Sequence, residues 1–139
     1  MRPRLALPVV VLILAASLAR AEEPRGCDKF AWDVTALQKA LAAAATPAGD
    51  APADRMAGRA LSLSLAPFAE AKLERPPERA PRSAASFAGL VRFQPAEAGI
   101  YAVTLDAAAW IDVIQDGAYL KPVAFTGALD CPHVRKSVR

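Results

Sequence analysis

The chain has 139 residues, of which 54% are hydrophobic and 22% charged, a balance typical of one ordinary domain. Its formal net charge is +3. Three of its 17 basic residues, Arg2, Arg4 and Arg20, lie within the first 21 positions, where there is no acid, so residues 22–139 carry equal numbers of acids and bases. The charge therefore argues against a nucleic-acid or anionic-membrane function founded on a basic surface.

The first 21 residues follow the order of an export signal. Arg2 and Arg4 precede an apolar run over residues 5–18, and Ala19-Arg20-Ala21 supplies a small–x–small cleavage site. The alternative is a transmembrane anchor, but the run is only about 14 residues long and a spanning helix needs about 20. We expect cleavage after Ala21 and a periplasmic or secreted product without a transmembrane anchor.

Export affects the expected oxidation state of the two cysteines, Cys27 and Cys131. An oxidising compartment allows a disulfide to persist, and these residues can form only one intramolecular pair. The bridge would join the start of the exported chain to its last dozen residues. Two buried free thiols are the alternative.

One segment has a helical pattern. Apolar residues recur at three- and four-residue steps over about residues 33–45, and Asp33 can cap the amino terminus. Residues 42–60 contain only one large apolar side chain, Met56, among prolines and glycines, which predicts a loop.

Strand patterns begin at residues 60–65, where leucine and serine alternate and predict a half-buried strand. A proline-rich loop is expected at about 66–86, because proline cannot donate to the middle of a sheet. A β-meander is expected at about 87–125, with Asp116-Gly117 as a two-residue hairpin turn. Residues 22–139 are therefore predicted to form a single small β-rich domain: an antiparallel β-sandwich or incomplete jelly-roll-like sheet with one N-terminal helix.

The last residues, 134–139, begin a further strand-like run. Its basic side chains, Arg135, Lys136 and Arg139, are expected to form a solvated edge. Preceding strands carry bulky residues on both faces, so we expect part of their apolar surface to be exposed.

Five motifs carry a family resemblance; they are GCDKFAW at 26–32, PPER at 76–79, GIYAVTL at 99–105, AWIDVIQDG at 109–117 and RKSVR at 135–139. Together they resemble a family of small, exported, uncharacterised proteobacterial proteins. The later motifs also resemble, more weakly, the β-sandwich of bacterial pre-peptidase C-terminal domains. The family resemblance implies one or two further strands after the RKSV segment, and hence a C-terminally truncated chain.

The name homogentisate dioxygenase, which is attached to some members of that family, implies a non-haem iron site. Such a site of the two-His, one-carboxylate type needs two imidazoles. This chain has one histidine, His133, so the ligand set is incomplete and the resemblance supplies no catalytic residue.

Several polar residues are candidates for a catalytic or metal site. His133 could be a metal ligand or base, but an exposed loop residue beside a proline is the simpler interpretation. A triad using Ser83, Ser86 or Ser137 lacks a nucleophile elbow. Asp112 and Asp116 lack the ligand density of a calcium loop, and the turn already accounts for Asp116.

Two aromatic side chains, Trp110 and Tyr119, are candidates for stacking on a sugar or peptide, although strand aromatics more often pack in cores or cross-strand pairs. The sequence thus favours a non-enzymatic binding or structural accessory module of the cell envelope, without a cofactor or metal. Its partner would be an envelope protein or a small ligand, and not a nucleic acid. The alternative is an enzyme or metal-binding protein with a dispersed site.

Overall fold

The computed structural model describes residues 22–50, 54 and 56–139, so the predicted export signal at 1–21 lies outside the described residues. The described elements are α1 (Thr35–Ala42), β1 (Thr46–Pro47), β2 (Leu61–Ser62), β3 (Ala66–Pro67), β4 (Phe87–Ala88), β5 (Val103–Leu105), β6 (Val113–Gln115), β7 (Ala118–Leu120), β8 (Phe125–Gly127) and β9 (Lys136–Val138). Two short 3-10 turns, at Cys27–Lys29 and Ala48–Asp50, complete them.

The described strands form four small sheets, with the pairings β1–β2, β3–β4, β5–β9–β8 and β6–β7. All pairs are antiparallel except β1–β2. The predicted class, mainly β with antiparallel sheets and one N-terminal helix, is confirmed. Among the strands that lie within the expected meander at 87–125, only β6 and β7 pair with each other.

Helix α1 is shorter than the predicted 33–45. Asp33 lies two residues before it, and its Oδ1 accepts hydrogen bonds from the Thr35 backbone N–H at 2.8 Å and the Thr35 hydroxyl at 2.6 Å. The helix ends at Ala42 because the alanines that follow offer no large side chain to dock, and Ala43 is already extended.

The leucine–serine alternation at 60–65 gives a shorter strand than predicted, because only β2 pairs. Leu63 and Leu65 are exposed and rest against Gly89, where a Cβ atom would lie 2.8 Å from Leu65. Their predicted burial is wrong, since the small sheets β1–β2 and β3–β4 provide no second layer over them.

The β6–β7 hairpin has the predicted turn. Asp116 and Gly117 have φ values of 51° and 74°, the left-handed conformations that a two-residue type I′ turn needs. This geometry matches the right-handed twist of the two strands and sets Ile114 opposite Tyr119.

Strand β9 corrects the predicted solvated edge. It lies between β5 and β8, and Ser137 pairs with Thr104 on one side and Thr126 on the other. Arg139 continues the β8 ladder by exchanging backbone hydrogen bonds with Ala124. The basic side chains therefore flank the centre of a sheet rather than its edge.

The core lies where the two ends of the described chain meet. Phe30 and Val34 pack with Ala128, Cys131 and Val134, and all five are buried. The predicted disulfide is present, with the Cα atoms of Cys27 and Cys131 4.7 Å apart. Beside it, Arg25 and Leu129 form a parallel bridge. Among the described residues, no helix is long and apolar enough to cross a bilayer.

Candidate functional site

The three-stranded sheet β5–β9–β8 has opposite polarity on its two faces. We call the inner face the one that bears Thr104, Ser137 and Thr126, which are directly opposite one another in the register. Ser137 is fully buried, and its hydroxyl lies 2.8 Å from that of Thr104. The row inside the molecule is therefore made of hydroxyls.

The N-terminal segment covers this inner face. The Ala31 backbone N–H donates to the Thr126 hydroxyl at 3.0 Å, and the Arg139 guanidinium carbon lies 4.2 Å from the centroid of the Trp32 ring. The Thr126 hydroxyl therefore has a hydrogen-bond partner in the N-terminal segment, which helps to accommodate a polar row on this face.

The outer face of the same sheet bears the apolar row Val103, Val138 and Phe125. Val103 is 40% exposed and Phe125 75% exposed, and the neighbouring Val123 is also largely exposed. A sheet that is half-covered ordinarily turns its apolar row inward and its polar row outward. Here the order is reversed, so Val103 and Phe125 leave apolar surface exposed on the outer face.

Trp110 adjoins this outer face. The Lys136 side chain, which projects from the outer face of β9, lies with its ammonium 5.3 Å from the Trp110 ring centroid and donates to the Ala109 carbonyl at 2.9 Å. Partial burial lowers the pKa of Lys136, and the neighbouring charge of Arg135 adds to that effect. Trp110 itself is 54% exposed and extends the apolar surface.

The structure separates the two candidate aromatics. Tyr119 is half-buried against residues 75–79, which we call the docking segment, and its hydroxyl donates to the Pro76 carbonyl. The Arg75 guanidinium covers the Tyr119 ring at 5.8 Å. Tyr119 therefore packs within the molecule, whereas Trp110 keeps exposed surface beside the outer face.

The docking segment also forms a hydrogen bond with Asp112, the residue that precedes β6 of the hairpin. Asp112 Oδ2 accepts from the Glu78 backbone N–H at 3.1 Å, and Asp112 Oδ1 accepts from Trp110 Nε1 at 2.8 Å. Both carboxylate oxygens are thus used by N–H donors, which argues against the calcium role considered for Asp112. Lys121 donates to Glu78, and this contact raises the pKa of Lys121.

The other candidate residues are not assembled into a catalytic site. His133 is exposed in the turn after Cys131, with a φ of 62°. Ser137 is buried with its hydroxyl shared with Thr104, so a substrate has no access to it. Ser83 accepts from the Ala85 backbone N–H at 3.1 Å in a local turn.

A cleft of about 370 Å³ lies beside the disulfide, between Cys27 and Gln38. Two carboxylates line it, but both have partners within the molecule: Lys29 lowers the pKa of Asp28, and hydrogen bonds from Thr35 lower that of Asp33. Gln38 donates to Cys27 Sγ and the Pro132 carbonyl. The Gln38 contacts hold α1 against the disulfide. The two carboxylates and Gln38 therefore have structural roles within the molecule.

Sequence reasoning missed the outer face as a site. Period-two alternation placed Tyr101, Val103 and Leu105 on one side of a strand, which was the available signal. It did not reveal that Val138 and Phe125 would join that side, because the pairing of β9 between β5 and β8 joins segments distant in sequence.

The chain matches no family model, no curated protein and no solved structure. The resemblance carried by the five motifs therefore stays a prediction.

Proposed function

We propose that this protein is a non-enzymatic, exported binding or structural accessory module of the cell envelope, and that the outer face of β5–β9–β8 is its contact surface. The observation that carries the proposal is the reversed polarity of this sheet. Its hydroxyl row is hydrogen-bonded and centres on the buried Ser137, with Thr104 and Thr126 half-buried, while its apolar row Val103, Val138 and Phe125 faces outward.

The chemistry of the surface fits a protein partner. Its centre is aliphatic and aromatic, and its end carries Trp110 with two cations, Arg79 and Lys136, each 5.3 Å from the ring centroid. Aromatic and arginine side chains around an apolar centre are characteristic of protein interfaces. The Cys27–Cys131 disulfide supports an oxidising location, because such bonds persist mainly outside the reducing cytoplasm.

Site-specific photo-cross-linking in the producing cells tests the contact surface. A photoreactive phenylalanine analogue at Phe125 should give an adduct with an envelope protein. The matched control is Phe87, which is similarly exposed but lies in the separate β3–β4 sheet. Adducts of equal yield at both positions, or none at Phe125 in correctly localised protein, would refute the proposed surface.

Export is tested separately by the intact mass of the protein recovered from the envelope fraction. The expected mature form begins at Glu22, after cleavage behind Ala21. A recovered protein that still carries residues 5–18, or one confined to the cytoplasm, would contradict an exported role.

A further inference from the structure

One edge of the β5–β9–β8 sheet is open along a strand-like run, residues 99–105, which we call the open edge. Only Val103–Leu105 is paired, and it pairs with β9 on one side alone. The backbones of Ile100, Tyr101 and Ala102 make no hydrogen bond to any described residue. Ile100 is 73% exposed. The run therefore presents unused backbone donors and acceptors beside an apolar surface. Its Tyr101 side chain packs against Phe93 and donates from its hydroxyl to the Glu97 carbonyl, which leaves the backbone groups of the run unpaired.

The opposite edge, beyond β8, is flanked differently. Leu129, two residues after β8, pairs with Arg25, and the Arg25 guanidinium lies 2.6 Å from the Asp130 carboxylate. A second ion pair joins Arg135 and Glu23 nearby. Charged side chains and a neighbouring segment are common means of blocking strand addition. The open edge has no charged residue and no proline.

The open edge is self-complementary. When two copies run antiparallel about a two-fold axis at Ala102, Tyr101 of one lies opposite Val103 of the other, and Ile100 lies opposite Thr104. Aromatic and β-branched residues form favourable cross-strand pairs, and no like charges meet. Directly opposed residues share a face, so the apolar outer rows of the two sheets become continuous.

We propose that this edge binds the same edge of a second copy of the chain. The result is a two-fold symmetric, six-stranded antiparallel sheet in which Ala102 lies on the axis. An isologous contact of this kind closes after two copies and does not propagate into a filament. The proposal stands apart from the envelope function, because it concerns the edge of the sheet and needs no other protein.

The contact is small, since a seven-residue strand pair and its flanks fall below about 1,200 Å² of buried surface. Sedimentation velocity on the purified, disulfide-bonded protein should therefore show a monomer at about 1 µM and a dimer that accumulates towards about 500 µM. A protein that stays monomeric throughout this range overturns the proposal.

Ala102→Lys places two ammonium groups opposite each other on the axis and should abolish the dimer. The matched control is Ala118→Lys, which makes the same change at an exposed alanine of a strand in the separate β6–β7 sheet. Near-UV circular dichroism verifies that both variants keep the wild-type fold. Persistence of the dimer in folded Ala102→Lys would show that another surface forms it.

Ala102→Cys gives a positive test of the register. Opposed residues of antiparallel strands have Cα atoms about 4.5–5.5 Å apart, within disulfide range. Under mild oxidation this variant should form a covalent dimer with a 102–102 bridge, identified by peptide mass mapping, and Ala118→Cys should not. Equal cross-linking of the two variants, or none at position 102, contradicts the proposed axis.

Discussion

The hydrogen bond between the buried Ser137 and the half-buried Thr104 shows how a polar row is accommodated in this sheet. Each hydroxyl would be costly to bury alone, because it would lose its hydrogen bonds to water. Together they satisfy one another across β5 and β9 at 2.8 Å. The pair therefore contributes to the pairing of two strands that are distant in the sequence.

Removal of either hydroxyl should destabilise the protein. We expect Ser137→Ala and Thr104→Val each to lower the free energy of unfolding by about 1 kcal/mol, with a coupling of similar size in the double variant. Urea denaturation of all four proteins measures this cycle. Ser62→Ala, at an exposed serine of β2, is the control and should change stability by less than about 0.5 kcal/mol. Strict additivity would disprove the mutual hydrogen bond.

The Asp33 carboxylate, which precedes α1, makes the stability of the protein depend on pH. Hydrogen bonds from Thr35 hold the pKa of Asp33 below its ordinary value of 3.8. Because this pKa is lower in the folded state, the stabilising effect of the carboxylate is present above the unfolded value and is lost as the pH falls through the folded value. The NMR signal of the Thr35 amide should titrate with a midpoint below 3.8.

Two substitutions check that assignment. Asp33→Ala should abolish the titration of the Thr35 amide. Lys29→Ala should raise the pKa of Asp28, which Lys29 lowers, and leave the Thr35 titration in place. A Thr35 midpoint that follows the Lys29 substitution would mean that Asp28, and not Asp33, controls the start of α1.

At the scale of elements, the β6–β7 hairpin is fastened to the docking segment by contacts of unequal kind. Asp112 accepts two N–H donors, whereas Lys121 meets Glu78 through a side chain that is 78% exposed. Exposed ion pairs contribute little because solvent screens them. Of the two contacts to Glu78, the hydrogen bond from its backbone N–H to Asp112 should therefore contribute more than the ion pair with Lys121.

We expect Asp112→Ala to lower the free energy of unfolding by about 1–2 kcal/mol, and Lys121→Ala by less than about 0.5 kcal/mol. Hydrogen exchange at the Glu78 amide should accelerate in Asp112→Ala only. Comparable losses in the two variants would contradict this ranking and assign the attachment to the ion pair.

The elements also show what sequence patterns specify. The alternation of apolar side chains predicted β5, β6 and β7, and Asp116-Gly117 predicted the turn between β6 and β7. Both signals arise within a few residues of the sequence. The place of β9 between β5 and β8 was not predictable in this way, since periodicity defines a strand's faces but not its neighbours. For the same reason, the exposure of Phe125 became evident only once β9 was in place.

The length of helix α1 was likewise not predictable from the sequence pattern alone. The pattern predicted 33–45, but only Thr35–Ala42 is helical, because Leu37 and Leu41 pack against the core and the alanines beyond them contact little. In contrast, the disulfide was predictable, since two cysteines allow a single intramolecular pair.

At the scale of the whole molecule, the disulfide joins two chain segments that together make the core. By the chain-entropy account, a bridge closing about 100 residues stabilises a protein by about 4–5 kcal/mol at most. We expect the Cys27→Ser, Cys131→Ser double variant, and the reduced wild type, to lose most of their cooperative unfolding transition at room temperature.

Urea denaturation followed by near-UV circular dichroism, with and without reductant, measures this loss. Wild type that is reduced and then reoxidised should regain its midpoint, which separates a broken bond from irreversible damage. An unchanged midpoint on reduction would mean that packing of Phe30 and Val34 on Val134 holds the two segments without the bridge.

The core has a further consequence for the timing of folding. Val34 is buried against Val134, so the earliest core residues leave the ribosome long before their partners exist. At 5–20 residues per second, the interval is roughly 5–20 s. During this interval Phe30 and Val34 have no core partners to pack against. The core therefore nucleates late, only once the segment that carries Ala128, Cys131 and Val134 has been synthesised.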